Sequence, residues 1–282
     1  MNSRFYLILS QITHHCFWIS KWYSFFMEQY LKLAQEIAHS SAEIALKYFG
    51  FDTKETWKSD NTPLTQADTE INSFVIKKIK EKYPDHSVQG EEESMKKEGS
   101  RYIWVCDPID GTMPYSLGLP TFTFSLALVD QTDGQPILGL VNDPILKNMY
   151  WATKGGGAFR NGTKISVTTD SDLKNTYLEL DGGRNIGFSK TITMEALRNK
   201  NAKVMSLLSF VYGAVQVANG KFSGAIFMNK HAHDVAAVKI LAEEAGGKAT
   251  DLKGNERRYD TEGLGCVISN GKLHSEILNC IK

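Results

Sequence analysis

The amino-acid sequence predicts a layered α/β fold, and two observations indicate this class. Helical patterns and short β-rich runs alternate along the second half of the chain, as they do where helices pack on sheets. The first half begins with two amphipathic patterns and continues with consecutive short strands. With 282 residues, 42% of them hydrophobic, the chain is long enough to bury one large core or two closely packed ones.

The first half of the chain begins with two predicted helices. Apolar residues recur at helical spacing over residues 27–49, and Gly50 ends this helix. A polar, turn-rich loop, KSDNTPLTQAD, leads to a second helix over residues 69–83, which Pro84 ends. The runs that follow are predicted to be short strands separated by turns: YIWVC, FTFSLALVD, PILGLVNDP, MYWATK and the glycine-rich GGGAFRNGTKISV.

Strands and helices alternate in the second half. TYLELDGG predicts a strand, SKTITMEALRNK and FVYGAVQVANGK predict helices, and FSGAIFM predicts another strand. HDVAAVKILAEEAGG reads as a glycine-capped helix, before the strands KATDL and GCVISN and a last short helix. We divide the chain into an N-terminal α+β half, residues 27–170, and a C-terminal α/β half, residues 171–282. No flexible linker separates them, so we expect one compact body.

Residues 1–26 are expected to be an extension outside the folded core, of the kind that translation from an upstream start codon adds. The segment is rich in aromatic residues but lacks the run of about 18 apolar residues that a transmembrane helix needs. Arg4 and the apolar residues 5–10 weakly imitate a signal peptide, yet no small-residue cleavage site follows them.

Charge and cysteine content narrow the class of partner. The formal net charge is zero, and no basic stripe with interleaved aromatic residues is present, which argues against nucleic acid as a partner. The four cysteines are far apart and form no C-x-x-C pair, so we expect reduced thiols and a cytoplasmic protein. These features favour a small-molecule ligand, with neither nucleic acid nor membrane as a partner.

Two aspartates, Asp107 and Asp110, end the apolar run YIWVC. A single aspartate at such a position is most often a cap or a turn residue. Pro108 bends the chain between them, however, so both carboxylates can turn toward one point. Mg²⁺ binds through one or two carboxylates together with a phosphate, and Gly111 and Thr112 would offer backbone N–H groups to that phosphate if a helix begins there. The stretch therefore indicates metal-assisted phosphoryl transfer.

Five ordered blocks carry a resemblance to a known family. They are KSDNTPLTQAD, GEEE at residues 90–93, DPIDGT at residues 107–112, GGGAFRNG, and HDVAAVKILAEEAGG. With these blocks, residues 30–275 resemble the inositol monophosphatase family of Mg²⁺-dependent, lithium-sensitive sugar phosphatases. The resemblance implies the αβαβα sandwich of the inositol monophosphatase and fructose-1,6-bisphosphatase type, a phosphomonoesterase acting on a small phosphate ester, and a homodimer.

The same resemblance implies a set of metal ligands. Glu91, Asp107 and the Ile109 carbonyl would hold one Mg²⁺ ion. Asp107 would also bridge to a second ion, held with Asp110 and Asp234.

It further implies the groups that act on water and phosphate. Asp68 would hold a weaker third ion and its water, with ligands drawn from Glu91 and either Asp60 or Glu92. Thr112, hydrogen-bonded to Asp68, would help to deprotonate that water for in-line attack on phosphorus. The N–H groups of Gly111 and Thr112 would bind phosphate oxygens. The predicted catalytic residues are therefore Asp68, Glu91 and Thr112.

This sequence departs from the family pattern at three places. Met113-Pro114-Tyr115 follows DPIDGT, and the proline is expected to be tolerated in the first turn of a helix. His233 replaces the family's tryptophan, and we interpret it as a packing replacement. Phe227 lies where inositol-specific members have an acid, so we expect a substrate other than myo-inositol phosphate.

Several substrates are compatible with these departures. We assign substrate contacts to Arg184, Ser209 and Lys230, which together with His231 would suit a more anionic or aromatic ester. The alternatives are the phosphatases of histidinol phosphate, of 3′-phosphoadenosine 5′-phosphate and of fructose 1,6-bisphosphate. A catalytically weak relative that only binds a phosphorylated ligand is the alternative of another class.

Overall fold

The computed structural model describes residues 3–50, 53–59, 61–182 and 187–282, with side chains from residue 25 onward. The helices in these residues are α1 (Ser3–Tyr48), α2 (Gln66–Lys82), α3 (Thr112–Ser116), α4 (Lys190–Asn199), α5 (Phe210–Ala218), α6 (Ala236–Glu244) and α7 (His274–Cys280). The first strands are β1 (Glu55–Trp57), β2 (Pro63–Thr65), β3 (Ser87–Gly90), β4 (Ser94–Met95), β5 (Tyr102–Asp110), β6 (Thr123–Asp130), β7 (Gln135–Asp143) and β8 (Asn148–Thr153). The others are β9 (Gly157–Arg160), β10 (Thr163–Lys164), β11 (Tyr177–Gly182), β12 (Lys203–Met205), β13 (Gly224–Met228), β14 (Lys248–Thr250) and β15 (Cys266–Ser269).

The larger sheet has eight strands in the order β10-β9-β8-β7-β6-β5-β3-β4. Side chains along its strands alternate between two cores, as the two-residue period of a strand requires. Trp104 and Cys106 of β5 face the core that contains α1 and α2, whereas Val105 faces the core on the other side. Strand β6 repeats the pattern, with Ala127 and Val129 on the second face. Both faces of this sheet are therefore covered.

Helix α6 packs closely on the second face because β7 carries a glycine there. A Cβ atom at Gly139 would lie 2.5 Å from the carbonyl oxygen of Ala237 in α6. Any side chain at this position would push the helix away from the sheet.

The smaller sheet has five strands in the order β12-β11-β13-β15-β14. One face shares a core with α5, α6 and the large sheet, so that Phe227 of β13 and Val105 of β5 belong to the same cluster. Its other face packs against α4 and α7, through Leu197 and Ile277 among others. The layers are therefore α1 with α2, the eight-stranded sheet, α5 with α6, the five-stranded sheet, and α4 with α7. The predicted αβαβα sandwich is confirmed.

Some element boundaries differ from those predicted. Helix α1 begins at Ser3 instead of residue 27, although burial of its described side chains in the core begins at Met27. Helix α2 begins at Gln66, three residues early, because Thr65 and Asp68 close its first turn through hydrogen bonds. The loop KSDNTPLTQAD contains β2, which pairs with β1, and the short edge strand β12 was not predicted.

Two further observations concern the described side chains. Cys106, Cys266 and Cys280 are buried free thiols. Among the described residues, no helix combines the length and the apolar character that crossing a membrane requires.

Candidate active site

Four of the predicted acidic residues, Glu91, Asp107, Asp110 and Asp234, line one cleft of about 510 Å³. Strands β3 and β5 run parallel with Gly90 opposite Cys106, so Glu91 and Asp107 follow at the same edge of the sheet. Asp234 reaches this edge from the segment between β13 and α6. Asp68, in the first turn of α2, is not among the lining residues but accepts a hydrogen bond from Thr112, which is. Residues far apart in the chain thus surround the same space.

An irregularity in β5 brings Asp107 and Asp110 together. Asp107 pairs with Ser125 of β6 and Asp110 pairs with Thr123, so three steps along β5 oppose two steps along β6. Residues three apart in a regular strand face opposite sides of the sheet, and one extra residue restores them to the same side. The bend predicted at Pro108 is therefore a β-bulge within a strand that extends to Asp110.

Asp110 is a buried carboxylate held by the beginning of α5. Its Oδ2 accepts hydrogen bonds from the Ser209 hydroxyl, from Val211 N at 3.0 Å and from Tyr212 N at 3.4 Å. Burial raises the pKa of Asp110 to about 7, and these three donors act in the opposite direction. The hydrogen bonds fix the carboxylate in place but leave the charged form costly.

Asp107 lacks such compensation. Its Oδ1 is buried and has no hydrogen-bond partner among the residues that the structure describes. Burial raises the pKa of Asp107 well above its ordinary value, and the charges of Glu91, Asp110 and Asp234 raise it further. Oxygen atoms of Asp107, Asp110 and Asp234 lie within 4.8 Å of one another. Such a cluster is stable in its charged form only with a cation, and its oxygen donors suit Mg²⁺.

A second acidic group contains Asp68, Glu91 and Glu92, with oxygen atoms again within 4.8 Å of one another. Lys58 Nζ lies 2.7 Å from Glu91 Oε1 and 2.5 Å from Glu92 Oε1. Burial opposes the charged form of Lys58, but the two carboxylates outweigh it and raise its pKa. Burial also raises the pKa of Asp68 to about 6 and that of Glu92 to about 7. Lys58 therefore balances this group, in contrast to the Asp107 cluster.

Thr112 hydrogen-bonds both to Asp68 of the second acidic group and to the backbone of β5, the strand that carries Asp107 and Asp110. Its hydroxyl lies 3.2 Å from Asp68 Oδ1 and 3.1 Å from the carbonyl oxygen of Ile109, so both accept from the same donor. Helix α3 begins at this residue, with Gly111 as its cap at φ 89°. Pro114 is the third residue of that helix, where its missing N–H is tolerated as predicted. Tyr115 is buried and donates to the Ala45 carbonyl at 2.7 Å, which ties α3 to α1.

Two of the predicted substrate contacts are not among the residues that line the cleft. Lys230 is not among the residues that line the cleft, because its side chain is ion-paired with Glu262 at 2.9 Å. Ser209 is buried, and its hydroxyl donates to Asp110 instead of facing the cleft. Arg184, like the alternative metal ligand Asp60, lies outside the described residues.

The side chain of His233 lies at the surface of the cleft. It lines the cleft with His231, and the two rings stack at 5.1 Å between centroids. Its Nε2 lies 3.7 Å from Asp234 Oδ2. Burial lowers the pKa of His233 to about 4, so the ring is neutral at physiological pH.

Other lining residues were missed because no local pattern marks them. They are Lys58, Thr62, Pro63, Asp181, Gly182, Leu208, Phe210 and Asn229. Lys58, Thr62 and Pro63 belong to the block KSDNTPLTQAD, and the charge of Lys58 beside an expected acidic site was the clearest available signal.

Comparison with known proteins agrees with this geometry. A model of the inositol monophosphatase family matches residues 27–281. The chain is 32% identical to a histidinol-phosphatase of Chlorobaculum parvum, over 89% of this chain and 96% of that protein. It is 29% identical to a fructose-1,6-bisphosphatase/inositol-1-monophosphatase of Thermotoga maritima, over 89% of this chain and 93% of that protein.

Solved structures have the same fold. An IMPase of Thermotoga maritima, 26% identical, superposes with a TM-score of 0.80 over 89% of this chain and 96% of that chain. An IMPase/NADP phosphatase complexed with Mg²⁺ and phosphate, 24% identical, superposes with a TM-score of 0.79 over 90% of this chain and 95% of that chain. The family match extends over nearly all of the sandwich, including every block on which the acidic cleft depends. The chain therefore belongs to the inositol monophosphatase family and is a phosphoric monoester hydrolase.

Proposed function

We propose that the protein hydrolyses a small phosphorylated metabolite with two Mg²⁺ ions and a weaker third, and that it acts in the cytoplasm as a homodimer. The observation that carries this proposal is the buried Asp107 cluster. One oxygen of Asp107 has no hydrogen-bond partner among the described residues, and two further carboxylates crowd it. Removing these charges from water is costly without a compensating cation.

We assign the metal ligands as follows. Asp107, Asp110 and Asp234 would hold one ion, since their oxygens already lie within coordinating reach of a common point. Asp107 would also serve a second ion together with Glu91 and the Ile109 carbonyl. Asp68, Glu91 and Glu92 would hold the weaker ion, which must compete with Lys58 for the glutamates. When bound, Mg²⁺ lowers the pKa of a coordinated water and neutralises charge that develops on the phosphoryl group.

Asp68 and Thr112 would form the proton path. The Thr112 hydroxyl donates toward Asp68 at 3.2 Å, so its oxygen lone pairs stay available to accept a proton from an attacking water. The proton of the hydroxyl can then pass to Asp68 Oδ1, the atom that accepts its hydrogen bond. Asp68 itself stays fixed because Thr65 donates to its other oxygen, from the backbone N at 2.9 Å and from its hydroxyl.

Gly111 and Thr112 would orient the phosphate. Both line the cleft where α3 begins, and the first N–H groups of a helix have no partners within it. Hydrogen bonds from these groups would hold phosphate oxygens in line with the attacking water.

The test is phosphate release from a panel of esters, measured with Mg²⁺ and then with excess EDTA. The panel contains inositol phosphate, histidinol phosphate, 3′-phosphoadenosine 5′-phosphate and fructose 1,6-bisphosphate. We expect Mg²⁺-dependent turnover of at least one ester, which the variant Asp107→Asn abolishes while its circular dichroism spectrum stays unchanged. Asp133→Asn, at an exposed turn, is the matched control. Binding of an ester without release of phosphate would support the alternative of a catalytically weak relative.

A further inference from the structure

One wall of the cleft is apolar. It consists of Met113, Leu208, Phe210 and Phe227, which we call the apolar wall. The rings of Phe210 and Phe227 are buried with their centroids 4.6 Å apart, and they form its base. Met113 and Leu208 are 45% and 46% exposed. The wall therefore offers uncovered apolar surface to the molecule that occupies the cleft.

The apolar wall adjoins the groups to which we assign phosphate and metal binding. Met113 directly follows Gly111 and Thr112, and Phe210 follows Ser209, whose hydroxyl donates to Asp110. An ester whose phosphate lies at Gly111 and Thr112 would extend its alcohol part along this wall.

The backbone of Leu208 is unusual. Its φ is +60°, in the left-handed region that leucine rarely adopts because Cβ approaches the following carbonyl. Glycine or asparagine would adopt this conformation at less cost. A strained, exposed leucine at a cleft is expected where its side chain serves the ligand. We therefore interpret Leu208 as a contact residue.

The apolar wall itself offers no side-chain hydrogen-bond partner, and the described polar residues that line the cleft near its register include Asp181, Asn229 and His231. Asp181 lies opposite Phe227 in the register of β11 and β13, so their side chains are neighbours on one face of the sheet. Asp181 Oδ1 accepts from Gly182 N at 2.7 Å and, at 3.4 Å each, from Lys190 Nζ and the Ser206 hydroxyl, which hold the carboxylate at the cleft. These contacts are all to Oδ1, so the ligand would donate to Oδ2. A polyol would bury several hydroxyls against Leu208 and the two phenyl rings, where each hydroxyl without a partner weakens binding by about tenfold or more.

We propose that the apolar wall is the leaving-group subsite, and that it selects esters whose alcohol carries an aromatic or other apolar group over esters of polyols. Asp181, at the edge of the wall, accepts a hydrogen bond from an ammonium or hydroxyl group of that alcohol. The inference rests on the proposed function, because it concerns which ester the hydrolytic site takes.

The experiment compares kcat/KM with Mg²⁺ for phenethyl phosphate, phenylalaninol phosphate and sorbitol phosphate. All three are esters of primary alcohols, so differences in their rates report recognition of the alcohol. We expect both aromatic esters to exceed the polyol ester by about tenfold to a hundredfold, which is the range of discrimination in an apolar pocket. Equal or faster hydrolysis of sorbitol phosphate overturns the inference while leaving the proposed function intact. Absence of Mg²⁺-dependent release from every ester, including the panel above, overturns the proposed function instead.

Two variants test individual residues. Leu208→Asn should fold, because asparagine tolerates φ +60°, and it should lower the preference for phenethyl over sorbitol phosphate by about tenfold, mainly through KM. Leu146→Asn is the matched control at an exposed leucine outside the cleft, and its preference should equal that of the wild type. An unchanged preference in Leu208→Asn would contradict the role of the wall.

Asp181→Asn tests the polar edge. Relative to the wild type, it should lower the ratio of kcat/KM for phenylalaninol phosphate to that for phenethyl phosphate by about tenfold, because only phenylalaninol phosphate carries an amino group. The effect of its additional methylene group cancels when the two proteins are compared. If phenylalaninol phosphate has no advantage over phenethyl phosphate while sorbitol phosphate is still disfavoured, the comparison is repeated with the ester that carries a hydroxyl in place of the amine. This second comparison decides whether Asp181 accepts from a hydroxyl. A ratio that Asp181→Asn leaves unchanged for both donors refutes the assignment of Asp181.

Discussion

Replacing Gly111 with alanine tests the tight turn between β5 and α3, on which the geometry of the site depends. Gly111 caps α3 with φ 89° and directly follows Asp110. A Cβ atom at this position would lie 2.7 Å from Ser209 Cβ and 2.8 Å from the Thr121 carbonyl oxygen. The substitution therefore imposes both left-handed backbone strain and a clash with the residue whose hydroxyl holds Asp110.

The magnitude follows from these two effects. The left-handed conformation costs an alanine roughly 1–2 kcal/mol, and overpacking of a filled site costs roughly 1–3 kcal/mol. The free energy of unfolding should fall by about 2–5 kcal/mol. Gly99→Ala is the control, because Gly99 also has a positive φ, 71°, but open space where its Cβ would lie. It should lose only the roughly 1–2 kcal/mol of backbone strain.

The assay is urea denaturation followed by circular dichroism, together with phosphate release in Mg²⁺. Gly111→Ala should lower the denaturation midpoint more than Gly99→Ala, with the slope unchanged. Its kcat/KM should fall by about a hundredfold, the effect of a displacement of roughly 1 Å in catalytic geometry, whereas Gly99→Ala should retain wild-type activity. Equal losses of stability in the two variants would refute the clash. Full activity in Gly111→Ala would refute the role of this turn in positioning the site.

Three further predictions follow from buried polar groups. In EDTA, the free energy of unfolding should fall as pH rises from about 4 to 7, because the folded protein retains a proton on Asp110, with its pKa raised from 3.8 to about 7, that the unfolded chain releases. The raised pKa values of Asp107 and Asp234 act in the same direction. The pKa values of His86, His233 and His274, lowered to about 4, act against it. We expect the acidic cluster to dominate, and urea midpoints that stay flat or rise across this range in EDTA would contradict that expectation. Added Mg²⁺ should raise the midpoint most at the alkaline end. Tyr115→Phe should lower the free energy of unfolding by about 1 kcal/mol through loss of its bond to the Ala45 carbonyl, and an unchanged urea midpoint would show that the bond contributes nothing. Thr112→Val should lower kcat by about 10² to 10⁴ and Thr112→Ser should restore most of it, so an active valine variant would exclude the proton path through Asp68.

Much of the fold could be predicted from local patterns. The run YIWVC and its neighbours are short apolar runs rich in β-branched and aromatic residues, which predict strands, and the structure has β5 and its neighbours there. The three-residue strands β1 and β12 were not predicted, although the equally short β14 was, as part of KATDL. Helix α2 begins earlier than predicted because Thr65 and Asp68 hydrogen-bond to each other. The polar sequence at this point is equally compatible with a turn.

The candidate site was predictable where its residues are consecutive. DPIDGT placed two carboxylates, a glycine cap and a hydroxyl in one short stretch, and the structure brings these groups to one cleft. The structure places Lys230 and Ser209 outside the cleft lining, and a sequence does not distinguish a side chain that faces the cleft from one that pairs elsewhere. Glu262 pairs with Lys230, and Asp110 accepts from Ser209.

By itself, the sequence determined the layered α/β class, the family resemblance and the identity of the acidic residues, because these depend on local periodicity and on ordered motifs. Only the tertiary structure decided which charges are compensated. It places Lys58 between Glu91 and Glu92 and leaves an oxygen of Asp107 without a described partner. Only the tertiary structure, too, brings Leu208 and Phe227 to one wall. Whether a charge is compensated, and which side chains are in contact, depends on distances between residues. For residues far apart in the chain, these distances are set by how the sheets and helices pack.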